Sequence, residues 1–148
     1  MKSLVFAAPR DVMLTLEALR LARTAQGIRS HPLPRVIDDV ARKCVLRQAD
    51  VPRTLLAVSR AGSRSKRWFG WMNTCLTRSV VAGAMLAERR QVVLCVGFRP
   101  GAGQGPADGH AWLTVDGVTT DGSLITGHEG PYETVLEIPI EGGRREWL

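Results

Sequence analysis

The chain has 148 residues, of which 45% are hydrophobic and 23% are charged; this supports one globular domain with a core and does not resemble a disordered composition. No apolar run approaches the roughly 20 residues that a membrane-spanning helix needs, and the three cysteines, Cys44, Cys75 and Cys95, form no close-spaced pair that would indicate disulfides or a zinc site. We therefore expect a soluble, cytoplasmic protein with reduced thiols that needs no metal or organic cofactor.

The net charge of +6 is unevenly distributed along the chain. Residues 1–74 carry 14 Lys or Arg against 5 Asp or Glu, whereas residues 75–148 carry 6 against 9. A basic half can be a solvated face, or it can bind nucleic acid or an acidic partner. The arginines are scattered singly and lack the interleaved aromatic residues of a single-strand binder, so nucleic acid is the less favoured partner.

Apolar spacing predicts two helices near the N-terminus. The first spans residues 9–25, where Val12, Leu16 and Leu19 share one face that we expect to be the core face. Further apolar residues lie off this stripe, so part of the helix surface is a candidate docking surface, as is the basic half. A second helix is predicted over residues 36–44, and its cysteine, on the apolar face, is expected to be buried and inert.

A third helix is predicted to begin at Pro52 and to end near Gly62, followed by a short basic linker at residues 63–67. An aromatic cluster comes next, and we expect it to wedge the start of the following helix into the core. Its members are Trp68, Phe69 and Trp71.

The following helix is predicted to begin at Cys75 and to end at about Arg90, with Thr74 or Asn73 as its N-cap. The small side chains along it would allow a strand to lie close against it. The continuous apolar run at residues 92–98 is typical of a central strand covered on both faces.

A Gly- and Pro-rich loop is predicted at residues 100–109, and a hairpin with an Asp116-Gly117 turn follows it. The hairpin strands are residues 110–115 and 118–121, and a last strand is predicted at about 134–140. The elements therefore predict an α+β fold.

The two-residue turn determines which hairpin side chains share a face. It pairs Val115 with Val118, and side-chain alternation then places His110, Trp112 and Asp121 on one face, with His110 and Asp121 as diagonal neighbours. Asp116 has the same parity, but it lies roughly 20 Å along the strand at about 3.3 Å per residue and is a turn residue.

These positions suit thiol acyl-transfer chemistry. The positive end of a helix and an adjacent imidazolium both stabilise a thiolate, so Cys75 is the candidate nucleophile. His110 is the candidate general base and then acid, and Asp121 would orient it. The Cys75 backbone N–H is one candidate donor to an oxyanion hole.

The segment Cys75–Ser79, the strand ending in Val96-Gly97, and the sequence from His110 to Gly117 together resemble the transglutaminase-like leader peptidases of lasso-peptide biosynthesis, the stand-alone B2 type. The resemblance extends from about residue 64 to about residue 137 and includes Tyr132. It implies a papain/transglutaminase-like cysteine peptidase core, a helix bearing the cysteine packed on an antiparallel sheet, with a Cys75, His110 and Asp121 triad.

The resemblance also implies a substrate and partners: a ribosomally synthesised precursor peptide whose leader is removed, a leader-recognition protein of the RRE type, and an ATP-using lasso cyclase. We expect a helical N-terminal region at residues 1–62 and the transglutaminase-like catalytic core at residues 63–148, in one compact domain. Two alternatives stay open from the sequence. One is a transglutaminase-type acyl transferase, and the other is a non-catalytic module that binds peptide or nucleic acid.

Overall fold

The computed structural model describes residues 9–99, 108–120 and 133–142, which form a helical layer and an antiparallel sheet. The predicted α+β fold is confirmed. The sheet order is β3-β2-β1-β4. The helices and strands are α1 (Pro9–Ala25), α2 (Leu33–Lys43), α3 (Val51–Phe69), α4 (Cys75–Leu86), β1 (Val92–Arg99), β2 (Asp108–Val115), β3 (Val118–Thr119) and β4 (Glu133–Ile140), with a short 3-10 helix at Gln26–Arg29.

Helix α4 lies at the centre of the fold. It contacts β1 and β2 on one side and α1, α2 and α3 on the other, and nearly all of its residues after the first turn are buried. Gly83 allows the sheet to lie close against α4, because a Cβ atom at this position would lie 2.4 Å from Ile140 Cδ1 and 3.4 Å from Leu113 Cδ2. The predicted close approach of a strand to this helix is therefore confirmed.

The core face of α1 differs from the predicted one. Leu14, Ala18 and Leu21 are at most 1% exposed, whereas Val12 and Leu16 are 46% and 54% exposed. The helix is apolar on more than one side, and the face centred on Ala18 is buried against α3 and α4. This face is favoured because small side chains allow helices to approach closely. The Val12 and Leu16 stripe is left on the surface.

Helix α3 continues past Gly62, so the predicted linker at residues 63–67 is helical. Gly62 does not stop the helix; it makes room for Asn73, whose Oδ1 would lie 2.3 Å from a Cβ atom at that position. The helix ends at Gly70, which adopts a left-handed conformation with φ of 64°, the usual conformation of a C-terminal glycine cap. The proposed division at residue 62 falls inside α3 and remains a prediction.

The aromatic cluster does not form part of the core. Trp68 and Phe69 are 59% and 54% exposed, and both lie on the last turn of α3. Phe69 stacks on Trp71 with ring centroids 4.6 Å apart. The expectation that this cluster anchors α4 is wrong, since α4 is anchored by its own buried face.

The hairpin has the predicted register. Val115 pairs with Val118 and Thr114 with Thr119, and the Thr120 N–H donates to the Leu113 carbonyl at 3.0 Å. Strand β1 lies between β2 and β4, as predicted for the central strand. Of the predicted loop at residues 100–109, the last two residues belong to β2 and the others lie outside the described residues.

Helix α4, predicted to end at about Arg90, ends at Leu86. Cys44, at the end of α2, is 3% exposed, as expected of a core thiol. Across the described segments, no helix combines the length and the apolar character needed to cross a membrane.

Gly97 provides a test of the packing between the sheet and the site. A Cβ atom there would lie 2.8 Å from the Trp112 ring and 2.9 Å from the Glu133 carbonyl oxygen, and the second atom is backbone that no side-chain rotation can move. We expect Gly97→Ala to lower the free energy of unfolding by about 1–3 kcal/mol, measured by urea denaturation. Gly27→Ala, with nearest contacts of 3.6 Å, is the control and should change stability by less than about 0.5 kcal/mol. Equal stability of the two variants would contradict the packing described here.

Candidate active site

Cys75 is the first residue of α4, and a capping box holds the helix start. The Thr74 hydroxyl accepts from the Thr77 N–H at 3.2 Å, and the Thr77 hydroxyl accepts from the Thr74 N–H at 2.9 Å. Of the two caps that the sequence allowed, Thr74 is the one used. The thiol is partly buried and lies at the positive end of the helix dipole, where a negative charge is stabilised.

The edge of β2 at Ala111 connects this helix to the sheet. The Ala111 N–H donates to Cys75 Sγ at 3.4 Å, and the Ser79 hydroxyl donates to the Ala111 carbonyl at 3.4 Å. Cys75 and Ser79 lie one turn apart on α4. Their side chains bond the N–H and C=O groups of Ala111, as the backbone of a neighbouring strand would. The cysteine sulfur is thus held against the backbone of the residue that follows His110.

His110 lies beside this contact on the same strand. Its ring stacks on Trp112 with centroids 6.0 Å apart and an interplanar angle of 21°, which confirms that the two side chains share a face. Cys75 and His110 both line one open pocket of about 240 Å³, together with Arg78, Ser79, Trp112 and Thr120. The structure therefore brings the predicted nucleophile and the predicted base to one pocket.

The third predicted residue, Asp121, lies outside the described residues. It directly follows Thr120, which lines the pocket. Asp116, which side-chain alternation assigns to the same face as His110, is part of the turn, with φ of 51°. Its carboxylate accepts from the Gln91 N–H and from Arg90, both at 3.0 Å, and these partners hold the pKa of the carboxyl below its usual value. Asp116 therefore holds the turn and is remote from the pocket residues.

The other two thiols lie in different surroundings. Cys44 and Cys95 are each 3% exposed. Burial raises the pKa of the Cys44 thiol from 9.0 to about 11, and burial, aided by the nearby Glu137 carboxylate, raises the pKa of the Cys95 thiol. Neither is expected to form a thiolate at neutral pH, so Cys75, the partly exposed thiol, is the candidate nucleophile.

Gln26 holds the loop that leads into Cys75, and nothing in the sequence indicated this role. Its amide oxygen accepts from the Met72 N–H at 2.8 Å, and its amide nitrogen donates to the Met72 carbonyl at 3.0 Å. On the other side of the loop, Asn73 fits against Gly62. Residues 26 and 72 are 46 positions apart, so only the folded chain shows this pair.

Within the three described segments, no group of three or more His, Cys, Asp or Glu side chains is placed to share a metal ion. The polar groups that converge on the pocket are a thiol, an imidazole, hydroxyls and one guanidinium. This set can perform nucleophilic and acid-base chemistry with the chain's own side chains.

Residues 12–136 match the family described as the transglutaminase-like superfamily. The chain belongs to the transglutaminase-like superfamily. This superfamily includes cysteine peptidases and acyltransferases, and its members are usually cysteine-dependent enzymes. The matched segment begins in the first turn of α1 and ends within β4. Comparisons with curated proteins and with solved structures give no match.

The three thiols of this transglutaminase-like protein differ in their exposure, so they should differ in their labelling. We expect iodoacetamide to modify Cys75 in the folded protein while Cys44 and Cys95 stay unmodified, because only Cys75 borders an open pocket. Mass spectrometry of tryptic peptides would measure the labelling at each site. In urea all three thiols should react, which serves as the control. Labelling of Cys44 or Cys95 in the folded protein at the rate of Cys75 would contradict the burial described.

Proposed function

We propose that this protein is a cysteine peptidase that removes the leader from a ribosomally synthesised lasso-peptide precursor. One observation carries the peptidase part: the sulfur of Cys75 is hydrogen-bonded to the backbone N–H that directly follows His110, and both side chains line one pocket. A nucleophile and a base in one pocket, at a helix start, are the parts that thiol acyl transfer needs.

In the proposed reaction, the Cys75 sulfur attacks the carbonyl carbon of the last leader residue while His110 takes the thiol proton. The carbonyl oxygen becomes negatively charged, and the backbone N–H at the start of α4 stabilises that charge. The C–N bond then breaks, and His110 protonates the departing amine. Water, activated by His110, hydrolyses the thioester to release the leader as a carboxylic acid and to restore the thiol.

The remaining residues have supporting roles in this proposal. Asp121 accepts the other imidazole N–H and fixes the tautomer of His110. Trp112 stacks on the imidazole and limits the orientations of the ring. Ser79 and Ala111 keep the helix start at the strand edge, so that the sulfur keeps its position through the reaction.

The substrate class rests on the resemblance of Cys75–Ser79 and of the His110 strand to the lasso-peptide B2 leader peptidases, and superfamily membership is consistent with it. On this proposal the protein acts with an RRE-type leader-recognition protein, which presents the precursor, and with a cyclase, which uses the freed amine to close the lasso ring.

The test is incubation with the precursor peptide encoded beside this protein, with and without the leader-recognition protein, followed by mass spectrometry. Wild type should give two fragments whose masses sum to that of the precursor plus one water. Cys75→Ala and His110→Ala should lower the rate of cleavage by at least about a thousandfold, and Asp121→Asn by about a hundredfold or more.

Matched controls come from the same residue types elsewhere in the chain. Cys44→Ala removes a thiol from the core. Asp116→Asn makes the same change as Asp121→Asn, in a turn where asparagine also tolerates a positive φ. Both variants should keep cleavage near the wild-type rate. Cleavage that survives Cys75→Ala would overturn the proposed mechanism. Products formed by amide transfer with loss of ammonia would instead identify a transglutaminase, and intact precursor bound without any product would identify a binding module.

A further inference from the structure

Three arginines form a stripe on the exposed face of α3. Arg60, Arg64 and Arg67 are exposed and are spaced at i, i+4 and i+7, which places them on one side of the helix over about 10 Å. Together with Ser59 and Ser63 they line a depression of about 280 Å³. We call this surface and its continuation beside Trp68 the basic groove.

The basic groove adjoins the candidate active site at one end. Ser59 lines both the active-site pocket and the arginine depression, so the two depressions adjoin at this residue. A chain whose carbonyl carbon lies at Cys75 would therefore pass over Ser59 and reach the arginines within a few residues, since an extended peptide advances about 3.3 Å per residue.

At its other end the basic groove is apolar. Arg60 and Arg64 also line a depression of about 380 Å³ between α1 and α3, together with Val12, Leu16 and Trp68. These apolar side chains are 46%, 54% and 59% exposed. Exposed apolar residues beside a set of like charges are typical of a surface that binds another chain.

The positive charge of the basic groove is not neutralised within the part of the chain that the structure describes. Asp11 also lines the apolar end, but it is paired with Arg53 at 3.2 Å. The described carboxylates that do form salt bridges pair with other arginines, namely Arg20, Arg42, Arg47, Arg53 and Arg90. The stripe is therefore complementary to an acidic ligand.

We propose that the basic groove binds an acidic segment of the peptide substrate, one that also carries apolar side chains for the depression beside Trp68. The inference rests on the proposed peptidase function, and it names the substrate feature that lies next to the bond cleaved. A peptide fits the observations better than a nucleic acid, because the groove adjoins a thiol pocket and because its apolar end is lined by aliphatic side chains as well as one tryptophan.

Binding is measured with the catalytically silent Cys75→Ala variant, so that its outcome does not depend on whether the peptide is cleaved. The probes are a fluorescein-labelled peptide of alternating glutamate and leucine, its glutamine-leucine counterpart, and a labelled single-stranded oligonucleotide, each followed by fluorescence anisotropy. The acidic peptide should bind more tightly than the neutral one. Adding Arg60→Gln, Arg64→Gln and Arg67→Gln should weaken its binding by about tenfold, since each exposed charge pair contributes modestly and three act together.

The control variant removes the same total charge elsewhere on the surface. Arg29, Arg35 and Arg89 are exposed and lie outside the basic groove, so changing all three to glutamine should leave the affinity for the acidic peptide nearly unchanged. Circular dichroism would confirm that both triple variants are folded.

Equal weakening by the two triple variants would overturn the proposal, because it would show a general effect of net charge. Equal affinity for the acidic and neutral peptides would also overturn it, as would tighter binding of the oligonucleotide that is lost in the α3 variant. None of these results bears on the catalytic residues. Cleavage of the precursor by the enzyme that retains Cys75 tests those separately.

Discussion

The backbone of Ala111 is the point on which the geometry of the site depends. Unpaired N–H and C=O groups at a strand edge need partners, and among the described residues β3 pairs with β2 only at Thr114 and Val115. Cys75 and Ser79 take the two groups of Ala111 instead. Two contacts one turn apart restrict the translation and the rotation of α4 relative to β2, so the sulfur is held beside the Ala111 N–H.

Local rules account for the features that the sequence predicted well. An Asp-Gly pair between two apolar strands strongly favours a two-residue turn, which is why the register from Val115 to Thr120 could be derived without a structure. A threonine before an apolar helical run is a common N-cap, and it placed Cys75 at the helix start. These two features, the order of the elements along the chain and the family resemblance together led to the expectation that His110 and Cys75 meet, and both line one pocket.

Features decided by neighbouring elements could not be predicted in the same way. Helix α1 is apolar on several sides, and only the approach of α3 and α4 determines that Ala18 is buried and Leu16 is not. Gly62 looks like a helix end in isolation, but its role is to admit the Asn73 side chain. Ser79 meets Ala111 across 32 positions, and no local pattern indicates a contact at that separation.

The side-chain amide of Gln26 connects the N-terminal helices to the loop that precedes Cys75. It belongs to the 3-10 helix that follows α1, and it satisfies both backbone groups of Met72, three residues before the cysteine. A chain in which α1 has not packed carries the same cysteine and the same histidine, but it lacks the two Gln26 hydrogen bonds that hold the loop before Cys75. The geometry of the candidate active site therefore depends on the packing of the N-terminal helix.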